Sequence, residues 1–319
     1  MNDSEFSLID QFFKSPAMLR DDVVYGIGDD AACLQIAPGN HLLVSTDTLV
    51  AGVHFLSDWD AYDIAWRSVM VNVSDMVAMA ATPCWVTLAL TLPEYHETWL
   101  TKFSQGLHAA LKKYNISLVG GDTTRGPLTI TITIHGTAPI GQSVRRVGAQ
   151  AGDLIWVSGE LGAAALGVSC LKHLDMDKSD KTEMMDALLH PRPRIELIPL
   201  LRRYATSAID ISDGLSADLN HICQASGIGA CLSLSSIPIH PLVKKYRQED
   251  AIDFTLGGGD DYELCFTTSP KHRDAVISES QAFGLVCYPI GDMVKDPGLK
   301  TLDAHENIRP LIPRGYRHF

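Results

Sequence analysis

The sequence predicts an α+β protein of two α/β domains, each a mixed sheet packed by helices. Three observations carry this. Apolar segments alternate between strand-like and helix-like spacing along the whole chain. Thr129 to His135 alternates Thr with Ile in strict period two, the pattern of a half-buried strand. A polar, glycine-containing stretch from Arg145 to Asp153 interrupts a chain of 319 residues, a length that suits two domains. We place the boundary there, giving domains 1–148 and 149–319.

In chain order, Phe6 to Phe13 reads as a short helix with Phe6, Ile9, Phe12 and Phe13 on one side. A turn follows at Gly26-Ile27-Gly28-Asp29-Asp30. A strand, His41 to Val44, then ends in Ser45-Thr46-Asp47-Thr48. Asp60 to Ala81 predicts a long Ala-, Met- and Val-rich helix stopped by Pro83, and Trp85 to Leu92 a strand. Trp99, Leu100, Phe103, Leu107, Ala110, Leu111 and Tyr114 keep helical spacing. Ile116 to Val119 is a short strand running into Gly120-Gly121-Asp122-Thr123. Beyond the boundary come a strand at Leu154 to Val157, an Ala-rich helix at Ala163 to Leu171 and a polar, exposed stretch from Asp175 to Asp186. A helix at Ile195 to Tyr204 and a strand at Ser207 to Ile211 follow. Ser212-Asp213-Gly214-Leu215 then turns the chain into a helix ending near Gly227. Gly257 to Asp261 is a turn, Tyr262 to Phe266 a strand, Ser269 to Ala282 a helix and Val286 to Ile290 a strand. Gly-Asp-Asp occurs in both halves, a hint of related domains that three residues alone carry weakly.

Composition narrows the partners. A net charge of −12 argues against nucleic-acid or anionic-membrane binding, since both need a basic surface. An acidic protein can still take a phosphate ester if divalent cations stand between the anions. Seven cysteines with no CxxC pair suggest neither a disulfide framework nor a zinc site. The acidic N-terminus lacks signal-peptide features, and no apolar run is long enough for a bilayer; a cytoplasmic protein is expected.

Aspartates recur where apolar runs end or beside glycine: Asp29, Asp30, Asp47, Asp122, Asp210, Asp213, Asp260 and Asp261. Taken singly, each is equally ordinary turn chemistry. Asp75 is different, because it lies inside an apolar helix on a face shared with Ser68, Asn72 and Met79. A carboxylate there must be paired, must cap a buried group, or must hold a metal. Taken together, the set favours a polynuclear magnesium site. No GxxxxGK[ST] run, HEXXH or protein-kinase signature appears, and neither Ser158-Gly159 nor Ser212-Asp213-Gly214 is a nucleophile elbow.

Gly26-Ile27-Gly28-Asp29-Asp30-Ala31-Ala32, Ser45-Thr46-Asp47-Thr48-Leu49, Asn72-Val73-Ser74-Asp75, Gly120-Gly121-Asp122-Thr123 and Ile211-Ser212-Asp213-Gly214-Leu215 belong to a superfamily pattern. That superfamily includes aminoimidazole ribonucleotide synthetase, formylglycinamidine synthase and selenophosphate synthetase. Gly52-Val53-His54-Phe55, Gly258-Gly259-Asp260-Asp261-Tyr262-Glu263 and the terminal Gly315-Tyr316-Arg317-His318-Phe319 are what make the chain resemble the thiamine-monophosphate kinase family, over essentially its whole length. Tyr316 stands where other members carry Phe or Trp. The reactive residue expected before Gly28 in a selenophosphate synthetase is absent.

The resemblance implies an aminoimidazole ribonucleotide synthetase-like fold and a homodimer paired through the N-terminal domains, with ATP bound near that pairing. It implies several magnesium ions, with Asp30, Ser45, Thr46, Asp47, Asp75, Asp122, Asp210 and Asp213 as ligands. Gly121, Asp122, Arg146 and Ser212 would contact ATP, and His54, Glu263 and Phe319 would contact thiamine monophosphate. Arg146 has the planar donors for a phosphate, or is a charged linker residue. Glu263 can oppose the thiazolium, or sit on a surface strand. Phe319 can stack on the substrate rings, or be an ordinary disordered terminus. No catalytic side chain is implied: the acceptor phosphate, with a second pKa of about 6, is already an anion, so direct transfer needs no strong base.

Overall fold

The computed structural model describes residues 5–14, 19–172 and 174–318. Contacts divide the chain into two compact units: Met1–Met76 with Ala81–Gly141, and Val77–Ala80 with Gln142–Phe319. Each has a mixed sheet and helices, so the α+β class holds in both.

The first unit opens with helix α1 (Glu5–Phe12) and a two-stranded ribbon of β1 (Val23–Tyr25) and β2 (Cys33–Leu34). There follow β3 (Asn40–Val50), helix α2 (Ala61–Ala78), β4 (Thr82–Leu92), helix α3 (Glu97–Lys113), β5 (Ser117–Arg125) and β6 (Thr129–Pro139). The four long strands make one sheet in the order β3-β6-β4-β5, parallel only between β4 and β5. Period two in β6 sorts its side chains: Ile130, Ile132 and Ile134 are fully buried, whereas Thr131 and Thr133 face the other side and pair with Thr48 and Thr46. Helix α2 buries Ile64, Ala65, Val69, Met70, Val73 and Val77 completely. It ends where Ala80 turns left-handed at φ 53° and the Ala81 N–H reaches back to the Met76 carbonyl. Helix α3 starts on His96, whose ring accepts the Trp99 N–H, and it packs against α2 at Gly106, where a side chain would strike the Tyr62 carbonyl.

Two segments expected to lie where strands end continue those strands instead. Ser45 to Thr48 continues β3, and Gly120 to Thr123 continues β5. Neither shows an apolar/polar alternation of its own, and the paired backbone of β6 and β4 keeps them extended.

The second unit contains β7 (Leu154–Val157), α4 (Ala163–Leu171), α5 (Lys178–Leu189), α6 (Ile198–Tyr204), β8 (Ala205–Asp210), α7 (Leu215–Ser226) and β9 (Gly229–Ser233). It continues through α8 (Pro241–Arg247), α9 (Ala251–Gly257), β10 (Leu264–Thr268), α10 (Arg273–Ala282), β11 (Tyr288–Val294), β12 (Gly298–Leu302) and β13 (Ile308–Leu311). Its seven strands run in the order β13-β12-β9-β11-β7-β10-β8, antiparallel except for β12 beside β9. Ile155, Val157, Ile209, Leu219, Ile222 and Leu232 form the core between this sheet and α7. The stretch from Asp175 to Asp186, expected to be merely exposed, is largely helix α5, because Met184 and Leu188 on one of its faces are buried.

Candidate active site

Ser45 and Asp47 alternate on β3 with Thr46 and Thr48, so they share the face of Ile134 and Ile132 rather than the threonine face. That face meets α2: the Ser45 hydroxyl donates to Asp75 Oδ2 at 2.5 Å. The polar positions inside α2 thereby acquire a purpose. Ser68 Oγ donates to the Ile64 carbonyl and Asn72 Nδ2 to the Ser68 carbonyl, while the buried Asn72 Oδ1 has no partner among the described residues. Burial, and then the charge of Asp75, push the Asp47 carboxyl up to about 6.

The second unit supplies another acidic group. Strand β8 ends on the buried Asp210, and the chain turns through Ser212-Asp213-Gly214 into α7. Three distant backbone donors brace this turn: Tyr262 N–H to the Ile211 carbonyl at 2.9 Å, Asp260 N–H to Ser212 at 2.8 Å and Tyr316 N–H to Asp213 at 3.1 Å. Gly259 approaches so closely that a Cβ would lie 2.4 Å from the Ser212 oxygen. Asp260 and Tyr262 hold left-handed φ values of 70° and 50°, strain that the surrounding hydrogen bonds maintain. Asp218, in the first turn of α7, accepts the N–H groups of Asp213 (3.1 Å) and Gly214 (3.0 Å). Burial and the neighbouring Asp213 push its carboxyl up to about 7, with the backbone donors and Arg146 opposing.

The remaining expected residues divide. Asp30 is exposed, its N–H donating to Asp29 Oδ1. His54 Nδ1 accepts the Val50 N–H at 3.0 Å and so closes the turn after β3. Thr46 faces away from Asp47, and by register Asp122 stands beside Ala89 and Thr131 on that same opposite face. Gly121 admits no side chain, since a Cβ would lie 1.9 Å from the Leu88 oxygen. Arg146 is exposed. Glu263 is buried and ion-paired with Arg194, so it is no surface strand position. Phe319 lies outside the described residues. The structure thus joins Ser45 to Asp75 through side chains with Asp47 under the charge of Asp75, and sets Asp210, Ser212 and Asp213 at one braced turn.

Known proteins decide the kinship. The family model "AIR synthase related protein, N-terminal domain" matches residues 28–138, and the corresponding C-terminal domain model matches 150–303. The thiamine-monophosphate kinase of Escherichia coli (strain K12) is 44% identical over 319 residues, covering 99% of this chain and 98% of that protein. The chain belongs to the thiamine-monophosphate kinase family. The solved thiamine-monophosphate kinase from Stenotrophomonas maltophilia K279a is 42% identical, with a TM-score of 0.87 over 93% of this chain and 96% of that one. AaThiL, solved in complex with AMPPCP and TMP, is 28% identical, with a TM-score of 0.80 over 98% of this chain and 96% of that one.

Do the residues of this family member suit magnesium? Among the described residues no three His, Cys, Asp or Glu side chains gather into a cage. Magnesium does not require one, since it keeps waters and phosphate oxygens and takes only one or two protein carboxylates. Asp47 and Asp75 with the Ser45 hydroxyl are an all-oxygen set. Their like charges sit in partial burial, and the orphaned Asn72 Oδ1 lies one helical turn from Asp75 on the same face. The donor set fits a hard divalent cation.

Asp218 was not among the residues expected from the sequence. Its position four residues after Gly214, in the first turn of a helix, was the available signal. Because its folded pKa, about 7, exceeds the unfolded carboxylate value, the folded protein holds a proton that the unfolded chain releases. Stability from this group is therefore full below about pH 4 and falls until about pH 7. In metal-free protein, Asp218→Asn should lessen that decline and raise stability near pH 8 by on the order of 2 kcal/mol. Urea melts of both proteins at pH 5 and pH 8 test this; parallel pH slopes would refute it.

Proposed function

We infer that this chain transfers the γ-phosphoryl group of ATP to the phosphate of thiamine monophosphate, giving thiamine diphosphate and ADP. The observation that carries the reading is full-length kinship to thiamine-monophosphate kinases, and an oxygen-only acidic pair that suits a divalent cation supports it. AaThiL in complex with AMPPCP and TMP supports ATP and thiamine monophosphate as the pair of substrates.

The bond from the γ-phosphorus to the β,γ-bridging oxygen breaks, and a bond from that phosphorus to an acceptor phosphate oxygen forms, in line and without a phosphoenzyme. Magnesium, when bound, neutralises the two phosphates so that they can approach. The chain's own task is positional. Ser45, Asp47 and Asp75 hold oxygen donors on a rigid strand and helix. The turn at Ser212 and Asp213, locked by Gly259 to Tyr262 and by Tyr316, holds a second set. Asp30, Asp122 and Asp210 complete the proposed ligands, with Thr46 limited to its backbone carbonyl because its hydroxyl is turned to Thr133. Gly121, Asp122, Arg146 and Ser212 are assigned to ATP. His54, Glu263 and Phe319 are assigned to thiamine monophosphate.

The domain roles follow: ATP, magnesium and dimer pairing for residues 1–148, and completion of the substrate site for 149–319. The outer face of the four-stranded sheet supports a homodimer, since it leaves Leu42 44% and Val44 54% exposed beside a ladder of threonines. Sedimentation should give a dimer of 34.8 kDa chains, and Val44→Glu should shift it toward monomer; a monomeric wild type would remove the idea. Seven free cysteines support the cytoplasm, and no helix among the described residues is long and apolar enough to cross a membrane.

One assay decides the activity. With ATP and magnesium, the protein should form a diphosphate from thiamine monophosphate, and should not act on thiamine or formylglycinamidine ribonucleotide. Activity on another acceptor, on none, or a trapped phosphoenzyme would overturn the reading.

A further inference from the structure

The second unit contains a cleft of about 440 Å³, within the size range of small-molecule sites, whose lining includes Ser158, Gly159, Arg194, His240, Glu263 and Tyr288. Glu263 is its unusual member. Its side chain is 8% exposed, and its backbone carbonyl accepts the Ile211 N–H at 2.7 Å, which fixes the residue beside the Ser212–Asp213 turn. Three groups then confine the carboxylate. Arg194 grips it with two donors, Nε on Oε2 at 2.7 Å and Nη2 on Oε1. Ser158 Oγ donates to Oε2 at 2.5 Å and accepts the Leu264 N–H at 2.7 Å, so the hydroxyl is itself held from both sides. Gly159 leaves room for the carboxylate, since a Cβ there would lie 2.5 Å from Oε1.

A buried ion pair of this kind adds little to stability compared with apolar residues of the same volume. Its distinctive product is geometry: a two-point guanidinium clamp permits one orientation of the carboxylate. A carboxylate has about four acceptor sites. Two on Oε2 are taken by Ser158 and Arg194, and one on Oε1 by Arg194. One site on Oε1 remains.

We propose that Arg194 is a positioning residue for the acceptor: with Ser158 it locks Glu263 in a single rotamer on the cleft wall, where the remaining acceptor site of Glu263 meets an N–H donor of the acceptor's organic half. This rests on the reading that Glu263 contacts thiamine monophosphate. Arg194 acts through Glu263 and touches neither ATP nor the reacting phosphates.

The test compares Arg194→Met, Arg194→Lys, Glu263→Gln and the double variant Arg194→Met/Glu263→Gln in the full-length protein with magnesium, ATP and thiamine monophosphate. Arg194→Met should raise the KM for thiamine monophosphate about tenfold or more, with kcat and the KM for ATP within about twofold. Arg194→Lys, which keeps the charge without the fork, should fall between it and wild type. The double variant should match Glu263→Gln. An unchanged acceptor KM in folded Arg194→Met, or equal rises in both KM values, would overturn the proposal. If Arg194→Met alone does not fold, the double variant carries the test, because it leaves no buried charge unpaired. A double variant more than about threefold worse than Glu263→Gln then shows that Arg194 acts independently, and the proposal fails. A wild type inactive on thiamine monophosphate would instead remove the functional reading itself, whatever Arg194 does.

Discussion

Asp75→Asn is expected to lower kcat/KM by about a thousandfold while leaving the protein folded, the loss that removing one ligand from a catalytic cation site produces. Asparagine keeps the shape of the side chain and can still accept the Ser45 hydroxyl at the position of Asp75 Oδ2. What it removes is the second negative charge beside Asp47. Two consequences separate this from a folding defect. In metal-free protein Asp47, pushed up to about 6 by burial and by Asp75, should titrate nearer its ordinary range once Asp75 is neutral. Its folded pKa lies above the unfolded value, so in wild type it costs stability as pH rises from about 4 to about 6; the variant should show a smaller decline. Magnesium, by binding the folded state, should raise the Tm of wild type and raise that of the variant much less. Normal turnover, or an equal magnesium-induced Tm shift, would end the assignment of this pair to the metal.

Gly121→Ala should destabilise the first unit by about 3 kcal/mol or more, with a Tm lower by about 10 °C. The new Cβ would stand 1.9 Å from the Leu88 carbonyl oxygen and 2.8 Å from its carbon, at a backbone φ of 157°. The obstacle is backbone of the neighbouring parallel strand, so no side-chain rotation relieves it. Gly39 is the control. It too has a positive φ, 83°, but open space around it, so Gly39→Ala should cost only about 1 kcal/mol. Chemical denaturation of the two variants measures the difference. A Gly121→Ala protein as stable as Gly39→Ala would mean that β4 and β5 lie farther apart than described.

Local pattern made much of the first unit legible. Strict alternation in Thr129 to His135 specified β6, and apolar spacing specified α2 and α3 to within a few residues. Short strands of the second unit escaped. Gly229–Ser233 reads Gly-Ala-Cys-Leu-Ser, with no β-branched residue and no clean alternation, and becomes a strand only because β11 and β12 flank it. Helix α5 escaped for a similar reason: its sequence is mostly polar, and two buried residues on one face justify it.

The candidate site divides along the same line. By itself the sequence determined which residues carry chemistry: acids at turns and strand ends, a carboxylate inside the apolar face of α2, and the motif order that ties them to one kinase family. It also determined the side of its helix on which Asp75 lies, because helix periodicity is local. Only the tertiary structure decided which of these residues meet. Asp75 reaches Ser45 from another element, Arg194 clamps Glu263, and the backbone of Tyr316 braces Asp213. It also set Thr46 and Asp122 on the face away from Asp47. The physical reason is range. Ion pairing, hydrogen bonding and the repulsion that shifts a buried carboxylate act over a few ångströms between segments remote in the chain, and periodicity within one segment does not encode that distance.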